Sequence, residues 1–205
     1  MSIFHPSRRA LVQGITALIA SALLAGCKQP PTGPGFLGND ISGSKVGGGL
    51  NMVDPQGQPR TLASFQGKIT VFFFGFTQCP DVCPTALASL AETMALLGPD
   101  AAQVQVVMIT VDPERDTGEI LARYTTTFSP GFIGLTGSPE QLSATARSFK
   151  AYYAKVRTAQ PGQYTMDHSS SFYVFDKNGQ PRVLIRGDSP PQTIATDLRT
   201  LMQAG

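Results

Sequence analysis

The sequence Ile69-Thr-Val-Phe-Phe-Phe-Gly-Phe-Thr-Gln-Cys-Pro-Asp-Val-Cys-Pro84 joins a run of β-branched and aromatic residues to a pair of cysteines. The run is apolar without alternation, which predicts a strand buried on both faces of a sheet that helices cover. Such a strand delivers the residues that follow it to the carboxyl edge of an α/β sheet, where folds of this kind place their sites. We therefore expect Cys79 and Cys83 to lie at a functional edge.

The segments around this stretch predict an α/β fold. Residues 50–53 and 60–62 flank a turn-forming cluster, Asp54-Pro-Gln-Gly57, and predict an N-terminal β-hairpin. We expect helices at residues 82–97, at 117–128 with Asp116 as a candidate cap, from the Ser138 cap to about residue 150, and from Ser189-Pro190 through residue 201. Further strands are predicted at residues 104–111, 132–135, 171–175 and 182–186. This order gives a mixed sheet with helices on both faces, which matches a thioredoxin-like fold.

The composition indicates one globular domain with a tail. The chain has 205 residues, of which 41% are hydrophobic and only 15% are charged, which excludes a disordered protein. The formal net charge is +2, and the acidic and basic residues balance once Arg8 and Arg9 are set aside. No basic run indicates a nucleic-acid partner. Three cysteines are too few for a disulfide scaffold, and we expect a monomer.

The N-terminus predicts export. Arg8 and Arg9 precede an apolar run over residues 10–24, which is short for a membrane span of about 20 residues. Leu24-Ala-Gly-Cys27 resembles a bacterial lipoprotein box, in which the cysteine becomes the lipidated first residue. We therefore predict a signal peptide over residues 1–26 and a lipid at Cys27 on the periplasmic side of a bacterial membrane. An N-terminal anchor helix and a twin-arginine signal are the alternatives.

A flexible tether is expected after the lipid. Residues 28–38 are rich in proline and glycine and have no hydrophobic period. We assign residues 27–40 to the lipidated cysteine and its tether, and residues 41–205 to the thioredoxin-like domain. Thiols outside the cytoplasm tend towards disulfides unless a reductant or a metal protects them.

The two thiols are predicted to flank the beginning of a helix. Cys79 would lie just before the helix and Cys83 in its first turn, and Pro80 suits that position because it has no N–H to lose. Free N–H groups and the helix dipole at this end favour thiolate over thiol. Two such sulfurs suit Cu(I), zinc or a disulfide. Two packed structural cysteines are the plain alternative.

A third ligand would distinguish a metal site from a redox pair. The chain has two histidines, and His5 falls within the predicted signal peptide, so His168 is the only imidazole of the predicted mature protein. In a thioredoxin-like sheet, the loop before the strand at residues 171–175 faces the thiol loop. We expect His168 in that loop, with Asp167 and Asp81 as neighbours that support the ligands. A lone histidine in the surface or core, and an Asp167 that only solvates the loop, are the alternatives.

From about residue 36 to residue 201 the chain resembles the SCO/SenC family of copper-binding, cytochrome-oxidase assembly proteins. The matching segments are Gly67-Lys68, Phe74-Gly-Phe-Thr-Gln-Cys-Pro-Asp-Val-Cys-Pro84, Thr110-Val-Asp-Pro-Glu-Arg-Asp-Thr117, Phe132-Ile-Gly-Leu-Thr-Gly137 and Asp167-His168-Ser169. The resemblance implies a thioredoxin-like fold and one copper ion, as Cu(I), Cu(II) or both, on Cys79, Cys83 and His168. Phe76, where tyrosine is common in the family, is a departure outside the ligand set.

The resemblance also implies partners and a role. Members deliver copper to the binuclear centre of cytochrome c oxidase, or reduce the cysteines of that centre. The expected partners are the copper-bearing oxidase subunit, other periplasmic copper carriers and thiol–disulfide oxidoreductases. Our main hypothesis is a membrane-tethered copper chaperone rather than an enzyme, and the alternative is a thiol–disulfide reductase.

Two smaller questions concern neighbouring residues. A thiol peroxidase of the same fold would need an arginine beside the activated cysteine, and no arginine lies near the motif in sequence. The segment Val111-Asp112-Pro113 is expected at the same sheet edge as the thiols. It would serve either loop architecture or partner docking.

Overall fold

The buried run at Ile69–Gly75 is a central strand in the computed structural model, which describes residues 35–204. The predicted signal peptide, the lipid site at Cys27 and most of the tether lie outside the described residues. The strands are β1 (Asn39–Asp40), β2 (Met52–Val53), β3 (Pro59–Arg60), β4 (Ile69–Gly75), β5 (Val104–Thr110), β6 (Ile133–Leu135), β7 (Tyr153–Arg157), β8 (Tyr164–His168), β9 (Phe172–Phe175) and β10 (Pro181–Ile185). The α-helices are α1 (Val82–Leu97), α2 (Gly118–Phe128), α3 (Pro139–Phe149) and α4 (Pro191–Ala204).

The main sheet is mixed, as predicted for a thioredoxin-like fold. Its six strands follow the order β1-β10-β9-β4-β5-β6. β4, β5 and β6 are parallel, whereas β9 runs antiparallel to both β4 and β10. β2 and β3 form the predicted N-terminal hairpin, and β7 and β8 form a second two-stranded sheet.

Strand β4 is buried on both faces, which explains its continuous apolar sequence. Phe72 and Phe74 pack edge-to-face on Phe149 of α3, with ring centroids 5.4 and 5.3 Å apart. Phe73 and Gly75 face the opposite side, where Cys83 of α1 lies. Helices therefore cover both faces of the strand that leads into the thiol loop.

The ends of the helices follow their sequence signals. α1 spans Val82–Leu97 as predicted and ends at Gly98, whose φ of 59° is a conformation that glycine adopts readily. By length and composition alone Val82–Gln103 is long and apolar enough to cross a membrane, but one face of α1 is buried in the core. Ser138 caps α3 through a capping box with Gln141, as predicted.

The cap of α2 was predicted wrongly. The Thr117 side chain, not that of Asp116, accepts the capping hydrogen bond from the Ile120 N–H. Asp116 is instead fully buried and turns towards the thiol loop. A carboxylate after a parallel strand can cap the next helix or hold a neighbouring loop, and hydrogen bonds from the half-buried Thr77 and the buried Thr110 select the second role for Asp116.

A hairpin was also missed. Residues 153–168 form β7 and β8, paired from Tyr153↔His168 to Arg157↔Tyr164. His168 is therefore the last residue of a strand and not a loop residue. The two-residue strand β1, at the edge of the main sheet, was likewise not predicted.

Candidate metal centre

The structure brings Cys79, Cys83 and His168 together, although 85 residues separate Cys83 from His168. One ligand atom from each residue lies within 4.8 Å of the other two. The Cys83 Sγ and His168 Nε2 atoms are 3.4 Å apart. Their assignment as ligands stays a prediction, but their convergence is a feature of the fold.

The start of α1 positions both sulfurs. Cys79 lies in the loop before the helix and Cys83 in its first turn, so the free N–H of Cys83 donates to Cys79 Sγ at 3.3 Å. Gly75 makes room for Cys83, because a Cβ on Gly75 would stand 3.0 Å from the Cys83 sulfur. Cys79 is partly exposed and Cys83 is buried, and both are free thiols.

The expected activation by the helix dipole is wrong for Cys83. Burial raises the pKa of its thiol well above the ordinary range, and the neighbouring Cys79 sulfur raises it further. A backbone hydrogen bond at Phe76 lowers the pKa of Cys83 but does not offset the loss of water around the sulfur. Cys83 is therefore a neutral thiol at neutral pH, and a bound metal ion would replace its proton.

The His168 ring is oriented with Nε2 towards the sulfurs. Its Nδ1 lies 2.9 Å from the carbonyl oxygen of Ser169, which can only accept a hydrogen bond, so Nδ1 carries the proton. In the neutral ring Nε2 therefore keeps a free lone pair beside Cys83. The rings of Phe73 and Phe76 pack edge-on against the imidazole, with centroids 6.2 and 5.8 Å away.

The two aspartates predicted to support the ligands lie at the rim of the site. Asp167 is exposed, and the proposed hydrogen bond to the imidazole is made by the Ser169 carbonyl instead. Asp81 occupies the position before α1 without capping it, and its carboxylate accepts a 3.5 Å hydrogen bond from Thr85. Both aspartates line a cavity that opens beside Cys79 and His168.

A buried carboxylate fixes the thiol loop from behind. Asp116 accepts hydrogen bonds from the backbone N–H and the hydroxyl of Thr77, at 3.0 and 2.5 Å, and from the hydroxyl of Thr110 at 2.6 Å. Burial raises the pKa of the Asp116 carboxyl, although these three donors oppose the effect. Thr77 is two residues before Cys79, so Asp116 holds the loop where the first thiol emerges.

Arg115 lies between the thiol loop and the His168 hairpin, which the sequence analysis missed. Its Nε forms an ion pair with Asp112, and its Nη1 donates to the Gln78 side chain at 2.9 Å and to the Tyr164 carbonyl at 3.2 Å. No arginine lies near the cysteine motif in sequence, as stated against a thiol peroxidase, but the fold brings Arg115 against the thiol loop, so that argument does not hold in space. Asp112 contacts Arg115 and the Tyr164 hydroxyl, as loop architecture predicts, and partner docking through residues 111–113 stays an alternative.

A charged run at the end of a buried strand is the sequence signal that could have indicated Arg115 and Asp116. Thr110-Val-Asp-Pro-Glu-Arg-Asp-Thr117 places three acids and an arginine where parallel strands deliver functional residues. The partners of these side chains lie 39 to 52 residues away, at Thr77 and Tyr164. Contacts over such separations have no local pattern in the sequence.

Comparison with known proteins agrees with this geometry. The model of the SCO1/SenC family matches residues 39–203. The chain belongs to the SCO1/SenC family. As a family member it has the thioredoxin-like fold expected from the sequence.

Three relatives illustrate the similarity. The SCO2-like protein RP587 of Rickettsia prowazekii is 37% identical over 171 residues, which cover 83% of this chain and 82% of the relative. The structure of Bradyrhizobium japonicum ScoI with copper bound is 38% identical and has a TM-score of 0.69, covering 76% of this chain and 99% of ScoI. The SCO1/SenC family lipoprotein of Bacillus anthracis is 28% identical with a TM-score of 0.64, covering 74% of this chain and 92% of the lipoprotein.

The donor set fits copper. Two sulfurs and one imidazole nitrogen are soft and borderline ligands, which suit Cu(I) and also accommodate Cu(II). The imidazole already has the tautomer that ligation through Nε2 requires, and its ring is held by the Ser169 carbonyl. Cys83 is shielded from water while Cys79 is partly exposed, so the site is reached from the Cys79 side.

Proposed function

We propose that this protein is an exported copper chaperone that helps to assemble the binuclear copper centre of cytochrome c oxidase. Cys79, Cys83 and His168 are its copper ligands, and the ion is the cargo that it passes on. The observation that carries the proposal is the convergence of these three ligand atoms within 4.8 Å. The role in oxidase assembly is what membership of the family implies.

Transfer proceeds by ligand exchange at the open side of the site. Cys79 is partly exposed and lines the cavity with His168, whereas Cys83 is buried beneath them. An incoming thiolate or imidazole of the acceptor therefore reaches the Cys79 side first. Cys83 would be the last ligand to let go, because its sulfur is covered by α1 and the sheet.

The copper assignment is supported by B. japonicum ScoI, which was solved with copper bound. Membrane attachment is supported by the lipoprotein box at Cys27 and by the B. anthracis relative, which is a lipoprotein. Cys27→Ser should abolish incorporation of labelled fatty acid and release the protein from the membrane fraction. Label retained by Cys27→Ser would exclude this anchor.

The test of the copper site measures stoichiometry and affinity on the reduced full chain in detergent. We expect about one copper ion per chain for the parent and none at this site for Cys79→Ser/Cys83→Ser. His168→Ala should weaken binding, most clearly for Cu(II), because it removes the nitrogen donor. Arg157→Ala is the matched control, since Arg157 is exposed on the same hairpin at the end away from His168. A His168→Ala protein that held both copper states as tightly as the parent would exclude the third ligand.

A second candidate function is reduction of the acceptor's cysteines, and the unequal exposure of the two thiols favours it. The exposed Cys79 sulfur would attack an acceptor disulfide and form a mixed disulfide, releasing one acceptor thiolate. Cys83 would then attack Cys79, which forms the Cys79–Cys83 disulfide and releases the second acceptor thiol. Both electrons come from the two thiols of this chain.

Trapping separates the two functions. Cys83→Ser incubated with an oxidised peptide carrying the acceptor's cysteine pair should accumulate the mixed disulfide if the reductase function holds. His168→Ala should keep this activity while losing copper affinity. A chaperone without reductase activity would give no trapped species.

A further inference from the structure

The hairpin that carries His168 is separate from the main sheet. Its strands β7 and β8 pair with each other, and no strand of the six-stranded sheet pairs with either within residues 35–204. The position of His168 relative to the thiols is therefore set by its chain connection to β9, which pairs with β4, and by the side-chain contacts that hold the hairpin against the thiol loop.

The loop of residues 111–117 supplies several of these contacts. The Tyr164 hydroxyl, on β8, donates to Asp112 Oδ1 at 2.9 Å. Lys155, on β7, forms an ion pair with Glu114 at 2.7 Å, but both side chains are largely exposed. An exposed ion pair contributes little to stability. The hairpin is therefore attached to this loop mainly through Tyr164, while Tyr153 and Met166 pack against the core.

Arg115 contacts both halves of the site at once. Its Nη1 donates to Gln78, the residue before Cys79, and to the carbonyl of Tyr164, the first residue of the strand that ends at His168. Its guanidinium carbon lies 3.8 Å from the centre of the Tyr164 ring, in stacking distance. One rigid group thus spans from the thiol loop to the histidine strand.

Burial and charge hold that group in place. Asp112 is only 3% exposed and pairs with Arg115 Nε, so the guanidinium plane is anchored on one edge while Nη1 reaches across. A planar fork can make these contacts together, and a lysine ammonium, as a point charge on a flexible stem, cannot. The arrangement depends on the arginine and not only on its charge.

We propose that Arg115 is a positioning residue that sets the distance between His168 and the two cysteines, and so sets the strength of the third copper ligand. This inference rests on the proposed function. Arg115 is not itself a copper ligand. It acts through Gln78 on the thiol side and through Tyr164 on the histidine side.

The first test is copper affinity of the full chain with Arg115→Lys. Groups that orient a metal ligand change affinity by about 10- to 100-fold when mutated, and we expect a loss in this range together with a changed Cu(II) electron paramagnetic resonance spectrum. Adding His168→Ala to Arg115→Lys should then cost much less than in the parent, because both changes disable the same ligand. Arg123→Lys, at an arginine whose side chain is 72% exposed, is the matched control and should bind as the parent does.

Two results of this test would overturn the inference. One is parent-like affinity and spectrum for Arg115→Lys, even if the variant is less stable to urea. The other is a loss of copper affinity, on adding His168→Ala to Arg115→Lys, that is as large as the loss on adding it to the parent. That result would show that Arg115 does not act through His168.

A second readout needs no copper. In the parent the His168 ring lies 5.8 Å from the Phe76 ring, so the apo protein should show nuclear Overhauser contacts between the two rings. Arg115→Lys should weaken them and Arg123→Lys should not; unchanged contacts would count against positioning. If the parent binds no copper, the proposed function fails, whatever the ring contacts show. If the parent binds copper but Arg115→Lys keeps both the ring contacts and the copper affinity, only the positioning role fails. The two failures are therefore distinguishable.

Discussion

The sulfur of Cys83 lies against the backbone of Gly75, so close that a Cβ on Gly75 would stand 3.0 Å from it and 2.7 Å from the Phe73 ring. Gly75→Ala would overpack the core and force the Cys83 sulfur or the Phe73 ring to shift. Such changes cost about 1–3 kcal/mol of unfolding free energy. We expect a loss of that size in urea denaturation and weaker copper binding.

Gly131→Ala is the control for this substitution. Gly131 is exposed, and a Cβ there meets no atom within 4 Å. The free energy of unfolding and the copper affinity of Gly131→Ala should stay near those of the parent. Parent-like binding by Gly75→Ala would show that the Cys83 sulfur tolerates displacement.

The second prediction concerns Gly187, which packs against the residues that follow His168. A Cβ on Gly187 would collide with the carbonyl oxygen of Ser170, a backbone atom that has little freedom to move. Gly187→Ala should displace residues 169–171 and with them the carbonyl that orients the His168 ring. We expect weaker copper binding by competition titration, with Gly131→Ala again as control. An unchanged affinity would show that the imidazole is oriented without this segment.

The third prediction concerns the carboxylate behind the thiol loop. Asp116→Ala leaves the N–H of Thr77 and two threonine hydroxyls without their acceptor. An unsatisfied buried polar group costs about 1–3 kcal/mol, so we expect at least that loss in urea denaturation. Asp100→Ala is the control, because Asp100 is exposed and makes only a 3.4 Å contact with Gln103. Equal stability of the two variants would contradict the role of Asp116.

The fourth prediction is a pH dependence that arises at the N-terminal hairpin. Burial opposes ionisation of Asp54, but hydrogen bonds from the Gln58 N–H, the Arg60 side chain and the Gln56 N–H lower the pKa of its carboxyl below 3.8. Because the folded-state pKa is the lower one, this contribution to stability is present above the ordinary pKa. It is lost as the pH falls through the folded value.

Urea denaturation between pH 7 and pH 2.5 tests this dependence. Asp54→Asn should be less stable than the parent at pH 7, and the difference should shrink as the pH falls below 3.8. Asp100→Asn should follow the parent throughout. A difference that stays constant with pH would assign the effect of Asp54→Asn to packing.

Much of the fold could be predicted because its signals are local. The apolar run of β4 and the Gly98 stop of α1 are visible in a few consecutive residues. The capping box at Ser138 is equally local. These elements were predicted within about a residue of their observed bounds.

The hairpin of β7 and β8 was missed because its strands are mostly half-buried or exposed and show no clear alternation. The pair Pro161-Gly162 between them is a turn signal that would have supported a hairpin. Without that hairpin, the sequence still indicated that His168 faces the thiols, because the following strand β9 pairs with β4. The environment of the site could not be predicted from the sequence. The raised pKa of Cys83 depends on burial by segments that are distant from it in the sequence.

The chain enters the domain at the edge of the sheet that carries the site. β1 runs antiparallel to β10, so Gly38 and Leu37 lie beyond the Asn39↔Leu184 pair, towards the end of β10 where Gly187 meets Ser170. Asp197 fixes this end of the chain by accepting hydrogen bonds from the Leu37 N–H at 2.7 Å and from the Gly38 N–H at 2.9 Å. The N-terminal end of the described residues therefore lies on the same side of the domain as Cys79, Cys83 and His168.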